Sequence, residues 1–168
     1  IMTDLKEFRK IQGDDTLGGM VICETSEQAR RLYDVFQEEW QKYQPKPIKI
    51  KLSDGSYVVG EPEVDYKSKY RPLKAGIILH DTDDKETRKQ IVKDFKKNMT
   101  VDILIVFNML LTGFDAPRLK RLYFGRKLKD HNLLQAITRV NRPYPGMRYG
   151  FVIDFADIKR NFKETNEA

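Results

Sequence analysis

Polar and basic side chains recur at helical spacing in Asn132 to Tyr144, NLLQAITRVNRPY. Residues three and four apart share one face of a helix, so Gln135, Thr138, Arg139 and Arg142 are predicted to project together. The apolar side chains predicted to pack inward are Leu133, Leu134, Ile137 and Val140. Guanidinium groups stay charged and bind two phosphate oxygens at once, so a pair of them suits phosphoryl recognition. The alternative is a solvated helix with surface arginines, which an isolated pattern of this kind favours.

Two other polar stretches directly follow apolar runs. Thr112 to Pro117, TGFDAP, comes after Asp102 to Phe107, DILIVF, which is apolar nearly throughout. Such a run is expected for a central parallel strand covered on both faces. Thr25-Ser26 follows the shorter run Met20 to Glu24, and Gln28 stands three residues after the threonine, the spacing of a capping box. Each polar stretch is therefore predicted to be a turn or loop that follows a buried strand.

The apolar runs predict five strands, with amphipathic helices between them: Met20–Glu24, Lys74–Leu79, Asp102–Phe107, Leu119–Phe124 and Tyr149–Asp154. A further helix is predicted to begin at Thr82 to Asp84, and residues 1–17 form a lead-in segment with loose helical spacing. Alternating strands and helices imply right-handed crossovers and a three-layer α/β domain with a central, mostly parallel sheet.

Functional loops of such sheets lie outside the carboxyl ends of the strands. We therefore expect the unusual polar residues to gather at that edge. The loops concerned are Thr25-Ser26, His80-Asp81, Thr112 to Asp115, Arg126 to Asp130 and the tail after Asp154.

The segment from residue 44 to residue 72 differs from its surroundings, since it contains four prolines and two glycines. Apolar residues alternate with lysines before Asp54-Gly55, which indicates a hairpin on the surface. The segment also carries Glu61, Glu63 and Asp65 beside Lys67. A nuclease carboxylate cluster is one interpretation, but alternating charges on an exposed ribbon are the ordinary case.

Composition limits the class of protein. The chain has 168 residues and a net charge of +6, which fits one globular domain and permits a polyanionic partner. Its one cysteine, Cys23, lies in an apolar run and is predicted to be an inert buried thiol in a reducing compartment. One cysteine and two histidines, His80 and His131, make no metal-ligand pattern. No apolar run is long enough to span a bilayer, so a cytoplasmic location is expected.

Taken together, these stretches resemble the second RecA-like domain of superfamily 2 helicases and translocases. The resemblance is greatest to the motor (R) subunit of type I restriction endonucleases and runs from Gly19 to Asp157, apart from residues 44–72. The stretch GGMVICETSEQARRLY is similar to motif IV, and ILIVFNMLLTGFDAPRLKRLYFGRKLKDHNLLQAITRVNRPY to motifs V and VI. The implied organisation is a lead-in segment over 1–18, the RecA-like domain over 19–157 with a surface insertion at 44–72, and a tail over 158–168.

The resemblance also implies roles for individual residues. Arg142 matches the arginine finger that stabilises charge on the transferring γ-phosphoryl group, and Arg139 matches the second motif VI arginine. The implied nucleotide-interface residues are Gln135, Gly113 and Asp115. The implied DNA-backbone contacts are Thr25, Ser26 and Thr112, and no residue is implied as a metal ligand. Thr138 departs from the usual glycine, and Asn108 from the usual acidic residue.

The implied function is that of the second motor lobe of an ATP-dependent DNA translocase. The chain has no G-x-x-x-x-G-K-[ST] loop and no D-E-x-H-type strand end, so ATP and Mg²⁺ would be bound mainly by a first lobe that the chain lacks. Alone it is expected to be inactive and to bind neither tightly. The implied partners are that lobe, duplex DNA, and methylase and specificity subunits, with cleavage by a separate nuclease domain.

Two alternatives remain open at this stage. One is the C-terminal lobe of another superfamily 2 DNA helicase, which would share the sites. The other is a non-catalytic nucleic-acid-binding α/β module that uses its basic edge. That edge carries Arg118, Lys120, Arg121, Arg126, Lys127 and Lys129. Such a cluster would contact DNA or the facing lobe, or would be a solvated strand edge. His131 and Asp154 are interpreted as capping or packing residues.

Overall fold

A parallel sheet of five strands forms the centre of the computed structural model, which describes residues 1–43, 48–60, 71–79, 84–107, 114–128 and 130–155. The described strands are β1 (Gly18–Cys23), β2 (Ile48–Lys51), β3 (Tyr57–Gly60), β4 (Ala75–Leu79), β5 (Ile103–Phe107), β6 (Leu119–Phe124) and β7 (Phe151–Asp154). The central sheet has the order β4-β5-β1-β6-β7, and every neighbouring pair is parallel. The predicted parallel sheet is therefore confirmed.

Helices cover both faces of this sheet and complete the predicted three layers. They are α1 (Met2–Gln12), α2 (Ser26–Tyr43), α3 (Lys85–Lys93) and α4 (Asp130–Val140), with a π-helical turn, Asp94–Asn98, directly after α3. Helices α1 and α2 pack on one face, where Leu5 and Phe36 are buried. Helices α3 and α4 pack on the other, where Phe95 and Leu133 are buried. Burial of each such side chain contributes about 1.5–3 kcal/mol, so both faces stabilise the sheet.

The lead-in segment is a helix that docks on the sheet through charged as well as apolar contacts. Arg121 of β6 donates from Nε and Nη2 to the two carboxylate oxygens of Asp4, at 2.8 and 2.6 Å. Tyr123 donates its hydroxyl to the same carboxylate at 2.7 Å. The hydrogen bond from Arg121 lowers the pKa of Asp4 and outweighs its desolvation. Helix α1 is therefore tied to the centre of the domain.

Side-chain caps begin two of the helices. Thr25 Oγ1 accepts the amide hydrogen of Gln28 at 3.0 Å, as the capping-box spacing predicts. The Gln28 amide oxygen accepts from the amide of Glu24 at 2.7 Å, one residue earlier than the usual reciprocal bond. The cap of α3 is Asp84, whose Oδ1 accepts from the amides of Glu86 and Thr87.

The predicted surface hairpin is present as β2 and β3, which pair in antiparallel register. Tyr57 and Val59 are 61% and 64% exposed, so this ribbon stands out from the core. Residues 61–70, with the carboxylates considered for a nuclease site, lie outside the described residues. Cys23 is 1% exposed, which confirms the predicted burial of its thiol, and burial raises its pKa to about 11.

Asp102 is the centre of a buried ionic network at the amino edge of the sheet. It is 1% exposed and accepts from Arg71 Nη1 at 2.5 Å, from Arg9 Nη2 at 2.9 Å and from the amide of Lys74 at 2.7 Å. Desolvation acts to raise the pKa of Asp102, but the hydrogen bond from Arg71 and the charges of Arg9 and Arg71 lower it overall. The network joins α1 to the segments that precede β4 and β5.

Helix α4 runs antiparallel to the strands and ends at the amino edge of the sheet. Its 11 residues extend about 16 Å, which carries the chain from the end of β6 back to the level of its beginning. The ammonium of Lys120, the second residue of β6, lies 3.3 Å from the carbonyl oxygen of Val140. A Cβ added to Gly150, just before β7, would lie 2.3 Å from that same oxygen. The end of α4 is therefore packed against the starts of β6 and β7.

Candidate functional site

Arg142 and Asp115 form an ion pair at the amino edge of the sheet. Arg142 Nε lies 3.6 Å from Asp115 Oδ1, and their side chains are 45% and 54% exposed. A pair so exposed contributes about 0–1 kcal/mol to stability. Replacing the carboxylate of Asp115 with a stronger anion would therefore cost little free energy. Because α4 ends at Val140, Arg142 lies on the segment that follows the helix, not on its face as the spacing predicted.

Arg139 is hydrogen-bonded to Phe114, the residue that precedes Asp115. Its Nη1 donates to the carbonyl oxygen of Phe114 at 3.1 Å, and Phe114 itself is 6% exposed. The two arginines thus contact two consecutive residues of one segment. The sequence predicted that this segment and the arginine helix lie together, and the described residues have that arrangement.

The position of this cluster corrects one prediction. Asp115, Arg139 and Arg142 lie at the amino edge of the sheet, whereas Asp115 was expected at the carboxyl edge with the other loop residues. Helix α4 returns the arginines to the start of β6, and Asp115 comes four residues before that start. Thr25 and Ser26 follow β1 directly and do lie at the carboxyl edge. Asp115, Arg139 and Arg142 therefore lie at the opposite end of the sheet from Thr25 and Ser26.

Gln135 has a different set of contacts from the arginines. Its Nε2 lies 2.8 Å from Nε2 of His131, one turn earlier, and its carbonyl oxygen accepts from the Thr138 hydroxyl at 2.8 Å. The four side chains predicted to act as one face are therefore divided into two groups. The inward face also differs: Leu134 is 41% exposed, and Ala136 is buried in its place.

Two members of the predicted basic edge, Arg118 and Lys120, are buried, so both interpretations of that edge are wrong for them. Arg118 is 3% exposed and donates to the carbonyl oxygens of Phe95, Val101 and Thr16. Burial lowers its pKa to about 10. Lys120 is 0% exposed, and burial lowers its pKa as well. Arg121 pairs with Asp4.

Sequence reasoning could have found these buried charges. A strand in the middle of a parallel sheet is covered on both faces, so a lysine or arginine in LKRLYF needs an internal partner. Arg126 and Lys127 lie in the connection after β6, where Arg126 is half-buried and Lys127 exposed.

Thr25 and Ser26 are exposed at the beginning of α2. The exposed side of this helix borders a shallow depression of about 530 Å³, lined in the described residues by Thr25, Glu27, Gln28, Arg31, Leu32 and Val35. Arg31 Nη2 pairs with Glu27 Oε1 at 2.6 Å, so these two charges balance each other. Thr25 Oγ1 already accepts one hydrogen bond, and its own hydroxyl hydrogen remains for an anionic oxygen.

Several predicted residues lie outside the described parts of the chain. They are Thr112, Gly113, Asn108, His80, Asp81 and Lys129. Where the chain is described, no group of three or more His, Cys, Asp or Glu side chains has a geometry that would hold a metal ion. No described helix has the length and apolar character needed to cross a membrane.

The fold is similar to that of RecA-like domains of helicases in solved structures. The Mss116p DEAD-box helicase domain 2, solved with an RNA duplex, aligns with a TM-score of 0.59 over 99% of this chain and 54% of that chain, at 16% identity. The Hef helicase domain of Pyrococcus furiosus aligns with a TM-score of 0.53 over 99% of this chain and 28% of that chain, also at 16% identity. At these identities the likeness concerns the fold.

Sequence comparison defines the family. A family model described as type I restriction enzyme subunit R domain 3 matches residues 16–157, and the chain belongs to this family. The putative type I restriction enzyme MjaIXP endonuclease subunit of Methanocaldococcus jannaschii is 30% identical over 155 residues, which are 92% of this chain and 13% of that protein. The MjaVIIP subunit of the same organism is 46% identical over 83 residues, 49% of this chain and 8% of that protein. The chain thus spans about a tenth of the length of these relatives.

Proposed function

We propose that this chain is the second motor lobe of a type I restriction R subunit and that it contributes arginines to ATP hydrolysis by the complete subunit. The observation that carries the proposal is the half-exposed pair of Arg142 and Asp115, beside Arg139, in a member of this family. Transition states of phosphoryl transfer spread charge over the equatorial oxygens, and an added guanidinium stabilises that charge. In this proposal the domain covers residues 19–157, with 1–18 as lead-in, 44–72 as insertion and 158–168 as tail.

The described residues fit one side of a nucleotide site. Arg139 and Arg142 supply cationic donors, and Asp115 holds Arg142 only weakly. The sequence has no phosphate-binding glycine loop with its lysine, so another lobe would hold the ATP and Mg²⁺. The chain alone is therefore proposed to be inactive. ATP bound between the lobes would draw Arg142 from Asp115 toward the phosphate.

We further propose that the carboxyl edge contacts the DNA backbone. Thr25 and Ser26 are exposed there, and the resemblance implies Thr112 as a further contact. Hydroxyl groups bind phosphates without reading sequence, which suits a translocase. The proposed partners are the first lobe, duplex DNA, and methylase and specificity subunits, with cleavage by another domain in the cytoplasm. The separation of the two edges would let one lobe contact DNA and nucleotide at the same time.

Kinetics of the full-length R subunit test the proposal. Arg142→Ala is expected to lower the kcat of DNA-stimulated ATP hydrolysis about 10³-fold or more, with folding and DNA affinity unchanged. Lys89→Ala is the matched control, because it removes a surface cation paired at 2.9 Å with Glu86. Its kcat should stay within about twofold of the parent value. Near-normal ATPase activity of Arg142→Ala would refute the assignment.

The non-catalytic nucleic-acid module makes the opposite prediction. There, Arg139 and Arg142 would change only the affinity for DNA, with a strong dependence on salt, and ATP turnover would be unaffected. The burial of Arg118 and Lys120 and the pairing of Arg121 with Asp4 weaken this alternative, because these three cations are half of the basic edge on which it rested.

A further inference from the structure

Lys120 occupies an unusual position for a lysine. It is the second residue of β6 and is 0% exposed, although it carries a flexible, strongly hydrated cation. Its ammonium donates to the carbonyl oxygen of Val140 at 3.3 Å and to the carbonyl oxygen of Arg142. The first of these carbonyls belongs to the last residue of α4, and the second to the arginine of the candidate site.

The chemistry of a helix end explains why a cation is favourable there. The last carbonyl groups of an α-helix have no partner within the helix, and the helix dipole places partial negative charge on them. A buried carbonyl without a donor is costly, so an ammonium that serves two of them fixes the local path of the backbone. The backbone fixed in this way is that of Arg142.

Two further contacts hold the same turn from the other side. A Cβ on Gly150 would lie 2.3 Å from the oxygen and 2.4 Å from the Cβ of Val140, so the backbone before β7 is pressed against the helix end. The amide of Gly150 also donates to Oδ1 of Asn141 at 3.1 Å. The segment Val140 to Arg142 is thus held between the starts of β6 and β7.

We infer that Lys120 is a positioning residue for Arg142. It fixes the Arg142 backbone so that the guanidinium projects from a rigid base, while the side chain itself is held only by the weak pair with Asp115. The backbone of Arg142 is thus fixed, whereas its guanidinium is held only weakly. This combination suits a group that must reach a phosphate in one geometry. The inference rests on the proposed function, since it gives Lys120 a role in the same ATP hydrolysis.

The test is a double-mutant cycle in the full-length R subunit, with Lys120→Met, Arg142→Ala and the double variant. Methionine fills much of the volume of lysine but donates no hydrogen bond. Lys120→Met is expected to lower kcat for ATP by about 10- to 100-fold, because a misplacement of about 1 Å has effects of this size, and to leave KM nearly unchanged. In the Arg142→Ala background the same substitution should change kcat by less than about twofold.

Two other variants make the result independent of a folding defect. Gly150→Ala displaces the same carbonyl from the opposite side and should reproduce the loss of kcat in protein with the parent's circular dichroism. Lys6→Met removes an exposed lysine of α1 and should leave kcat unchanged. If neither Lys120→Met nor Gly150→Ala yields folded protein, Lys120 serves the fold and the inference is overturned.

The remaining outcomes separate the two proposals. If Arg142→Ala lowers kcat strongly but folded Lys120→Met does not, or if the two effects multiply, Lys120 does not act through Arg142. If Arg142→Ala itself leaves kcat unchanged, the proposed function fails first, whatever Lys120→Met does.

Discussion

Arg142 Nε and Asp115 Oδ1 lie 3.6 Å apart, with about half of each side chain exposed. The carboxylate orients the guanidinium without burying it, and the pair is too weak to be a reason for the fold. The proposed function gives Arg142 a phosphate partner in the complete protein. The predictions below separate residues that maintain the fold from those that serve the site.

Asp115→Asn should affect activity much more than stability. The free energy of unfolding is expected to fall by less than about 1 kcal/mol, because the pair is half-exposed. ATP turnover by the full-length subunit should fall about tenfold, since an amide holds Arg142 less firmly. Glu39→Gln is the control, because it breaks another exposed pair, with Lys42. Equal turnover in the two variants would contradict a role for Asp115.

Arg139→Lys should be harmful although it keeps the charge. Arg139 Nη1 donates to the carbonyl of Phe114 at 3.1 Å, and a lysine presents a point charge with different reach and geometry. We expect kcat to fall about tenfold or more, with a smaller change in thermal stability. Steady-state ATPase assays and a thermal melt check this. Turnover equal to that of the parent would show that charge alone is sufficient.

Asp102→Asn should be among the most destabilising single changes in the described residues. It leaves Arg9 and Arg71 buried without their shared carboxylate, which costs about 3–5 kcal/mol at neutral pH. Asp4→Asn is the control, since Asp4 is 36% exposed and also pairs with an arginine. Urea unfolding should show a much smaller loss of unfolding free energy for Asp4→Asn than for Asp102→Asn. Equal losses would contradict the proposed contribution of the Asp102 network to stability.

The same network predicts an acid sensitivity with a defined sign. The pKa of Asp102 is lowered from its ordinary value of 3.8, so the folded state holds fewer protons on this group than the unfolded state. Its stabilisation is therefore complete above pH 3.8 and is lost as the pH falls toward the lowered pKa. In Asp102→Asn, the slope of unfolding free energy against pH below 3.8 should be reduced. An unchanged slope would contradict this assignment.

Much of the fold could be predicted from the sequence because the strong signals are local. The runs VIC, GIIL and ILIVF became β1, β4 and β5, since a buried parallel strand needs apolar residues on both faces. Lys120 and Arg118 were misinterpreted because their partners, the carbonyls of Val140 and Val101, are 20 and 17 residues away along the chain. Local patterning can indicate that a charge on a covered strand needs an internal partner, but it does not identify such distant acceptors.

The position of the candidate site was not predicted from the sequence. Arg142 pairs with Asp115, and Arg139 bonds to the neighbouring Phe114. Asp115 lies just before β6 and the arginines lie at the end of a returning helix, so the rule for loops that follow strands did not apply to them. The edge at which the arginines lie is decided by the direction of α4 relative to β6. Because β6 and β7 are parallel, the chain must return between them, so α4 runs antiparallel to both strands.

Thr25 allows the cap and the DNA contact to be separated. Aspartate and asparagine both cap helices well, so Thr25→Asp and Thr25→Asn should each keep the stability of α2 within about 1 kcal/mol. Only the aspartate adds a negative charge against a phosphate. Fluorescence anisotropy with duplex DNA and the full-length subunit should show weaker binding for Thr25→Asp than for Thr25→Asn. Equal affinities would remove Thr25 from the DNA surface.

The central claim is that Arg142 stabilises the transition state of ATP hydrolysis in the complete R subunit. The most direct measurement compares the binding of ADP alone with that of ADP and aluminium fluoride, a transition-state mimic, to the parent subunit and to Arg142→Ala. The account predicts equal affinity for ADP and a loss of about 10²-fold or more for the mimic in the variant. Equal affinity of both proteins for the mimic would contradict it.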